Sequence, residues 1–162
     1  MSEKDAAALT VREMRPGEEA FCVALTLSVW EKVSVLKNAT DRFGCVNGHP
    51  WTDHKADQIL SELNRADVVL VGELGGVPVT FATLLYDRKY STGMIGHLGV
   101  SAEVQNKGLG RAMVRAALDR MRRDGLKCAR IESLVQNPRA CHLYQSEGFE
   151  EVGRSVIFFR PL

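Results

Sequence analysis

Apolar side chains recur along this chain with two different spacings, which predict where strands and helices lie. Alternating or continuous apolar runs predict six strands, at residues 9–14, 68–74, 77–86, 94–100, 129–135 and 151–159. Apolar positions three and four apart predict four helices, at residues 18–32, 53–64, 108–124 and 138–147. Thr52 or Asp53 is the candidate N-cap of the second helix, and residues 33–50 are predicted to be the least regular stretch. The order βααβββαβαβ is that of a mixed α/β fold.

Turn and cap residues set several of these boundaries. Gly75-Gly76 is a two-residue hairpin signal between two strands, which predicts that they pair antiparallel. Asn137 precedes Pro138 at the start of the last helix, where an N-cap is preferred. Gly125 and Gly148 follow helical patterns directly and are expected to end those helices in the left-handed conformation.

Composition is that of an ordinary globular chain, and the length predicts one domain over residues 1–162. Apolar residues make up 45% and charged residues 25% of the chain, as in typical soluble domains. The net charge of +1 argues against a dominant nucleic-acid-binding surface. The four cysteines form no C-x-x-C pair, so reduced thiols and a cytoplasmic location are expected. Residues 1–8 lack the apolar core of a signal peptide, and no apolar run reaches the roughly 18 residues of a membrane span.

A loop with two glycines joins the strand that ends at Val100 to the third helix. It reads Gln105-Asn106-Lys107-Gly108-Leu109-Gly110-Arg111. Glycines let backbone approach a ligand, and the first amides of a helix, together with its dipole, attract an anion such as phosphate. Arg111 supports this interpretation, because a cation in the first turn opposes the dipole unless an anion compensates it. The loop is therefore predicted to bind a phosphorylated cofactor.

Two common phosphate-binding motifs do not fit the loop. The P-loop string G-x-x-x-x-G-K-[ST] is absent from the chain. The dinucleotide motif G-x-G-x-x-G begins with Gly108 and Gly110, but Met113 takes the place of its third glycine. Seven residues also separate Val100 from Gly108, whereas that motif requires strand, turn and helix in immediate succession. A dinucleotide site is therefore not favoured, although Glu132 could imitate its ribose-binding acid.

Two motifs together resemble the Gcn5-related N-acetyltransferase family. The first is [QR]-x-x-G-x-[GA] after a strand ending in hydrophobic-x-Val, and it is matched by Leu98-Gly99-Val100 and by Gln105 through Gly110. The second is N-x-x-A-x-x-x-Y-x-x-x-G-F, and it is matched by Asn137, Ala140, Tyr144, Gly148 and Phe149. The resemblance is specific over residues 94–149. It implies the acyl-CoA N-acyltransferase fold, with a mixed, mostly antiparallel central sheet flanked by helices.

The resemblance also implies the cofactor, acetyl-CoA, with CoA as product. It implies that the pyrophosphate is held by the main-chain amides of Asn106, Lys107, Gly108, Leu109, Gly110 and Arg111. It further implies that the main chain of Leu98 and Val100 pairs with the pantetheine arm like an added strand. Gln105, Asn137 and Tyr144 complete the implied cofactor site.

Acetyl transfer to an amine also needs an acid for the thiolate and a base for the amine. Tyr144 occupies the position of the family's acid. The base stays open among Glu132, His97 and Glu73. Glu132 has apolar neighbours, which make a carboxylate a better proton acceptor, and it matches a glutamate used by the family's protein N-terminal branch. His97 stands where relatives often carry an acid, and an imidazole suits neutral pH.

The acceptor is expected to be a primary amine of a small molecule or a peptide, acetylated directly in a ternary complex. By the resemblance, residues 33–51 and 153–159 would select it. The alternative is a non-catalytic acyl-CoA-binding sensor. An apolar last strand would also favour a homodimer in which the edge strands of two copies pair. A metal site is not expected, because the spacing matches no zinc module at the candidate ligands Cys45, His49, Asp53 and His54.

Overall fold

A computed structural model describes residues 8–45 and 47–162, and its strands form one sheet. The strands are β1 (Thr10–Glu13), β2 (Val68–Leu74), β3 (Val77–Asp87), β4 (Thr92–Val100) and β5 (Cys128–Ile131). The helices are α1 (Glu19–Trp30), α2 (Val35–Phe43), α3 (Trp51–Arg65), α4 (Leu109–Arg123) and α5 (Pro138–Ser146). Two short 3-10 turns lie at Glu31–Val33 and Ala102–Val104.

The strands follow one another across the sheet in chain order. The first four pair antiparallel, and β5 pairs parallel to β4. Gly75 and Gly76 form the turn between β2 and β3 with φ of 57° and 81°, the conformation for which the glycine pair was expected. The mixed, mostly antiparallel sheet predicted from the sequence is confirmed.

Helices cover both faces of the sheet. On one face α1 and α3 pack through buried residues, among them Cys22, Leu25, Ile59, Val71 and Phe81. On the other face α4 packs on the sheet through Leu70, Leu84, Ile95, Met113 and Ala117. Strand β2 has cover on both faces and is buried at every position but its last, which explains its continuous apolar run.

Strand β4 contains a bulge that sets up the functional site. Ile95 pairs with Leu84 of β3, and Leu98 pairs with Ala82. Three steps along β4 therefore oppose two steps along β3, and one extra residue lies between Ile95 and Leu98. A bulge of this kind bends its strand and redirects side chains. It turns His97 toward α1 and α3, while Ile95 and Leu98 contact the core beneath α4.

Two predictions near the N-terminal helices are wrong. Residues 33–50 were expected to be irregular, yet they contain α2, which Ser34 caps by accepting a bond from the Lys37 amide at 3.4 Å. Thr52 and Asp53 were candidate caps, but α3 begins at Trp51 with Pro50 in the N-cap position. The fixed φ of proline suits a helix start without any side-chain cap.

The predicted strand at residues 151–159 is also wrong. Residues 149–162 contain no regular secondary structure, and their apolar side chains are exposed, as at Val152, Val156 and Phe158. The apolar pattern shows only that the segment is suited to a sheet, whereas a strand also needs a paired neighbour. In the structure β5 is the last strand of the sheet.

Candidate active site

The loop that joins β4 to α4 has the geometry of an anion site. Asn106 and Gly108 have φ of 64° and 79°, and Gly108 is the N-cap of α4 without a side-chain cap bond. The first intrahelical bond runs from the Ala112 amide to the Gly108 carbonyl at 3.0 Å. The amides of the first three helical residues therefore precede the bonded part of the helix, where its dipole is positive.

Gln105 holds this loop between β4 and α5. Its side-chain amide donates to the carbonyl of Val100 at 2.9 Å, and its oxygen accepts from Arg139 at 2.9 Å. The side chain of Gln105 is therefore engaged within the protein. A role of Gln105 in cofactor binding would act through the shape of the loop.

Arg111 has a partner inside the protein. Its guanidinium donates to Glu147 at 2.5 Å, and Arg115 donates to the same carboxylate at 2.7 Å. The Glu147 side chain is only 6% exposed, so the pair joins α4 to the end of α5. The argument that Arg111 requires a bound anion is therefore wrong, because a carboxylate from α5 compensates its charge. The prediction that the backbone amides of this loop bind an anion does not depend on the charge of Arg111.

Strand β4 has an unpaired edge beside this loop. Pairing between β4 and β5 runs from Thr92 with Cys128 to Ile95 with Ile131. Strand β5 ends there, while β4 continues to Val100. In the described part of the chain, the side of β4 that faces β5 therefore has no strand partner at Leu98 and Val100. This is the arrangement needed to add an extended ligand as a strand.

Helix α5 holds Tyr144 in place through its two ends. The Asn137 side chain accepts from the Ala140 amide at 3.3 Å, which confirms the predicted N-cap. At the other end, Gly148 has φ of 87° and lets the chain turn back. Burial raises the pKa of Tyr144 to about 12, so its phenol remains protonated at any physiological pH.

His97 lies in a buried network that the sequence did not indicate. Its Nδ1 is 2.8 Å from Glu62 Oε1, and its Nε2 is 3.0 Å from Lys55 Nζ. The Thr83 hydroxyl also donates to Glu62 and accepts from the His97 amide at 2.7 Å. The Trp30 ring stacks on the imidazole with centroids 4.5 Å apart. A carboxylate only accepts, so Nδ1 carries the hydrogen.

Burial and hydrogen bonds set the charges in this network. Burial lowers the pKa of Lys55 to about 8, against the opposing effect of Glu62. Burial also opposes ionisation of Glu62, yet the His97 and Thr83 hydrogen bonds hold the pKa of that carboxyl below its ordinary value. Gly96 leaves room for the carboxylate, since a Cβ there would collide with Glu62 and with Leu85.

The network borders an open groove of about 500 Å³ between α3 and β4. The groove is lined by Asp57, Gln58, Ser61, Glu62, Arg65 and His97. All six side chains are polar, and the two carboxylates outnumber the single guanidinium. The groove therefore suits a polar ligand that carries positive charge.

The other two candidate bases lie in different surroundings. Glu132 follows β5, pairs with Arg130 and is 68% exposed in its side chain, so its expected apolar environment is absent. Glu73 is buried, but Arg12 Nε donates to it at 2.9 Å, and Arg12 also pairs with Glu18. His97 is thus the candidate that hydrogen bonds connect to a buried amine and a buried carboxylate, those of Lys55 and Glu62.

Within residues 8–45 and 47–162, no helix has both the length and the apolar character needed to cross a membrane.

Comparisons with known proteins agree with this geometry. The family model for acetyltransferases (GNAT) matches residues 33–149. Probable N-acetyltransferase family 8 member 5 of Mus musculus is 31% identical over 86 residues, covering 53% of this chain and 36% of that protein. Uncharacterized N-acetyltransferase YhfO of Bacillus subtilis (strain 168) is 31% identical over 93 residues, covering 54% of this chain and 62% of that protein. The matches thus span less than two thirds of either relative's length.

Solved structures share the fold at low identity. Aminoglycoside N-acetyltransferase AAC(6')-Iy in complex with CoA has a TM-score of 0.64 at 19% identity, covering 94% of both chains. The ribosomal-protein-S18-alanine N-acetyltransferase from Escherichia coli has a TM-score of 0.65 at 18% identity, covering 90% of this chain and 79% of that one. The family model covers more than half of this sequence, including both motifs of the site. The chain therefore belongs to the acetyltransferase (GNAT) family.

Proposed function

We propose that this protein is an N-acetyltransferase that moves an acetyl group from acetyl-CoA to a primary amine, by direct transfer in a ternary complex. The proposal rests on one observation, the continuity between the open edge of β4 and the N-terminus of α4. CoA has an extended amide-containing arm followed by a pyrophosphate. An open strand edge and a helix N-terminus are the surfaces that bind such groups, and here they adjoin in the same order.

Acetyl-CoA would be bound mainly by main-chain groups. The amides and carbonyls of Leu98 and Val100 pair with the pantetheine arm, and the amides from Asn106 through Arg111 hold the pyrophosphate. Asn137 and Tyr144 border the arm from α5. The complex of AAC(6')-Iy with CoA supports this cofactor, because that protein has the same fold over 94% of both chains.

Tyr144 is the proposed acid. The leaving thiolate of CoA resembles that of cysteine, whose conjugate acid has a pKa of about 8.5. Full proton transfer from a phenol with a pKa of about 12 would be unfavourable. The Tyr144 hydroxyl therefore acts by hydrogen-bonding the sulfur as its negative charge develops, and this interaction is strongest in the transition state.

The base is proposed to lie in the network around His97. This network is buried, contains a carboxylate and an amine, and adjoins the Leu98 edge to which the thioester would bind. Glu132 is the competing candidate, and its exposure beside Arg130 makes it a weaker one.

The acceptor is proposed to be a primary amine on a polar small molecule or a peptide, bound along the groove beside α3. Asp57 and Glu62 would attract its cationic group. Two proteins with the same fold are named for an aminoglycoside and for a ribosomal-protein alanine, which are acceptors of these two kinds. The exposed apolar residues at 152–159 would support a homodimer, whose interface they would cover.

The test is formation of CoA from acetyl-CoA in the presence of a panel of aminoglycosides, polyamines and peptides, with chromatographic detection of CoA and of the acetylated product. One acetylated amine per CoA is expected, and reactions without an amine give the background. Binding of CoA without turnover of any amine would contradict the proposal and identify an acyl-CoA-binding module instead.

A further inference from the structure

Lys55 is a buried amine that has no direct ionic partner among residues 8–45 and 47–162. It is 6% exposed, and its Nζ lies 4.1 Å from the centre of the Trp30 ring and 3.0 Å from His97 Nε2. A buried lysine is usually stabilised by a carboxylate in contact with it. Here the imidazole stands between Lys55 and the Glu62 carboxylate. Burial therefore disfavours the ammonium form of Lys55 and lowers its pKa, while the Trp30 ring face and the Glu62 charge favour that form.

Lys55, His97 and Glu62 form a continuous line of hydrogen bonds. The Nδ1–H of His97 donates to Glu62, so its Nε2 lone pair faces Lys55. The same arrangement, in which an active group bonds to an imidazole and a carboxylate orients that imidazole, recurs in enzymes that transfer protons. One end of the line is buried against Trp30, and the other end, at Glu62, borders the groove.

The line also adjoins the open edge of β4. His97 directly precedes Leu98, where that edge begins. The bulge turns the His97 side chain toward α1 and α3, on the side of the sheet opposite α4. A thioester bound along Leu98 would therefore lie next to the network, and an acceptor entering from the groove would meet it from the α3 side.

We propose that Lys55 is the catalytic base of the acetyl transfer, and that His97 and Glu62 are positioning residues that hold its amine beside the Leu98 edge. This inference rests on the proposed function. The acceptor enters from the groove and meets the thioester at the Leu98 edge, where the neutral Lys55 amine takes a proton from its ammonium group. The acceptor nitrogen then attacks the thioester carbon. The attacking nitrogen then carries a second proton, which passes to the sulfur as the C–S bond breaks, so that the amide and the CoA thiol form while Tyr144 hydrogen-bonds the departing sulfur. After the products leave, Lys55 returns its proton to water, which restores the neutral amine, while the hydrogen bonds from His97 to Glu62 keep the amine in position.

The proton affinity of Lys55 suits this role. An alkyl ammonium acceptor has a pKa of about 10.4, so proton transfer to a carboxylate of pKa about 4.3 is unfavourable by roughly 10⁶-fold. The same transfer to an amine with a pKa of about 8 is unfavourable by roughly 10²-fold. The titratable groups that face Lys55 are His97 from β4 and Glu62 from α3, while α1 contributes the neutral Trp30 ring. Arg65 lies beyond Glu62 at 3.9 Å.

The test compares Lys55→Arg with Lys55→Met and with the control Lys127→Arg, an exposed lysine between α4 and β5. Arginine keeps the charge and the contact with Trp30 but cannot lose its proton. Both Lys55 variants are expected to lower kcat by about 10²- to 10⁴-fold while CoA still binds, and Lys127→Arg should behave as the wild type. The kcat of the wild type should fall on the acidic side with an apparent pKa near that of Lys55.

Glu62→Gln tests the positioning role. Glu62 raises the pKa of Lys55, so its loss should move the acidic limb of kcat to lower pH, which a purely structural residue would not do. Titration of ¹³Cε-labelled lysines by NMR gives a readout that needs no substrate. One signal, absent from Lys55→Arg, is expected to titrate well below the others.

Several results would overturn the inference. If Lys55→Arg keeps half or more of the wild-type kcat, or if the Lys55 signal titrates with the exposed lysines, Lys55 is not the base. The proposed function would survive either result. If the wild type acetylates no amine although CoA binds, the proposed function fails and the inference fails with it.

Discussion

The amide of Phe149 donates to the carbonyl of Tyr144 at 3.1 Å, and the two rings pack edge to face with centroids 6.2 Å apart. Gly148 makes this possible, because its φ of 87° reverses the chain, and its own amide donates to Gln145. Together these bonds form a Schellman motif with its apolar contact. The Y-x-x-x-G-F spacing is therefore a helix end that fixes the Tyr144 ring.

Tyr144→Phe should lower kcat by about 10- to 1,000-fold with little change in acetyl-CoA affinity. The phenylalanine ring keeps the contact with Phe149, and only the hydroxyl that would stabilise the developing thiolate is lost. Steady-state kinetics and CoA titration measure the two effects. Tyr86→Phe is the matched control, since this partly buried phenol donates to Asp124 at 2.8 Å away from the proposed site. An unchanged kcat in Tyr144→Phe, with chemistry rate-limiting, would assign Tyr144 to packing alone.

Gly108→Val should abolish the rise in Tm that CoA gives the wild type. A ligand that binds only the folded state stabilises it, and a branched side chain at the N-cap of α4 would obstruct the pyrophosphate. Gly125→Val is the matched control at the other end of the same helix, with φ of 84° against 79° for Gly108. Both changes should destabilise the free protein by about 1–2 kcal/mol. CoA should still stabilise Gly125→Val. Retained binding in Gly108→Val would show that the loop does not hold the cofactor.

Local chemistry made the loop and the last helix predictable. Asn137, Gly148 and Gly108 each act within a few residues of their own position, so short motifs identify them. Lys55 and Glu62 could not be assigned this way, because their partner His97 lies 42 and 35 residues away and is turned toward them by a bulge. One signal was present: Lys55, Ile59, Glu62 and Leu63 share a helical face, so two charged residues interrupt an apolar stripe.

The C-terminal segment shows the opposite case, because its strong apolar pattern predicted a strand that the structure does not contain at residues 151–159. Residues 156–159 read Val-Ile-Phe-Phe, which favours a strand wherever a partner edge is available. Pairing depends on the position of another edge, which the segment itself does not encode. Glu132 illustrates the same difference, because its apolar neighbours in sequence do not surround its side chain in space.

Replacing His97 and Glu132, each by glutamine, should identify which of the two residues supports proton removal from the acceptor. His97→Gln is expected to lower kcat by about 10- to 100-fold, because it interrupts the line between Lys55 and Glu62. Glu132→Gln removes an exposed partner of Arg130 and should change kcat less than about threefold, as expected for a surface ion pair. The two variants are compared by kcat and by CoA affinity. A larger loss in Glu132→Gln than in His97→Gln would return the base to Glu132.

Lys55→Met should remove a part of the pH dependence of stability, namely the stability that the wild type gains as pH rises and the buried amine loses its proton. The pKa of Lys55 is lowered to about 8 in the folded protein, below its unfolded value. Below about pH 8 the amine is charged in both states, and the folded state carries the full penalty of burying it. As pH rises from about 8 toward the unfolded pKa, the unfolded chain binds the extra proton, so the folded state gains stability.

The wild type should therefore gain about 2 kcal/mol relative to Lys55→Met between about pH 7 and about pH 10. Urea unfolding of both proteins across this range measures the difference. Other groups with raised pKa values, such as Cys22 and Tyr144, act equally on both proteins and cancel. Lys127→Met, at an exposed position, should show no such trend. A constant difference between wild type and Lys55→Met would mean that Lys55 keeps an ordinary proton affinity in the folded protein, and the amine could not then serve as a base near neutral pH.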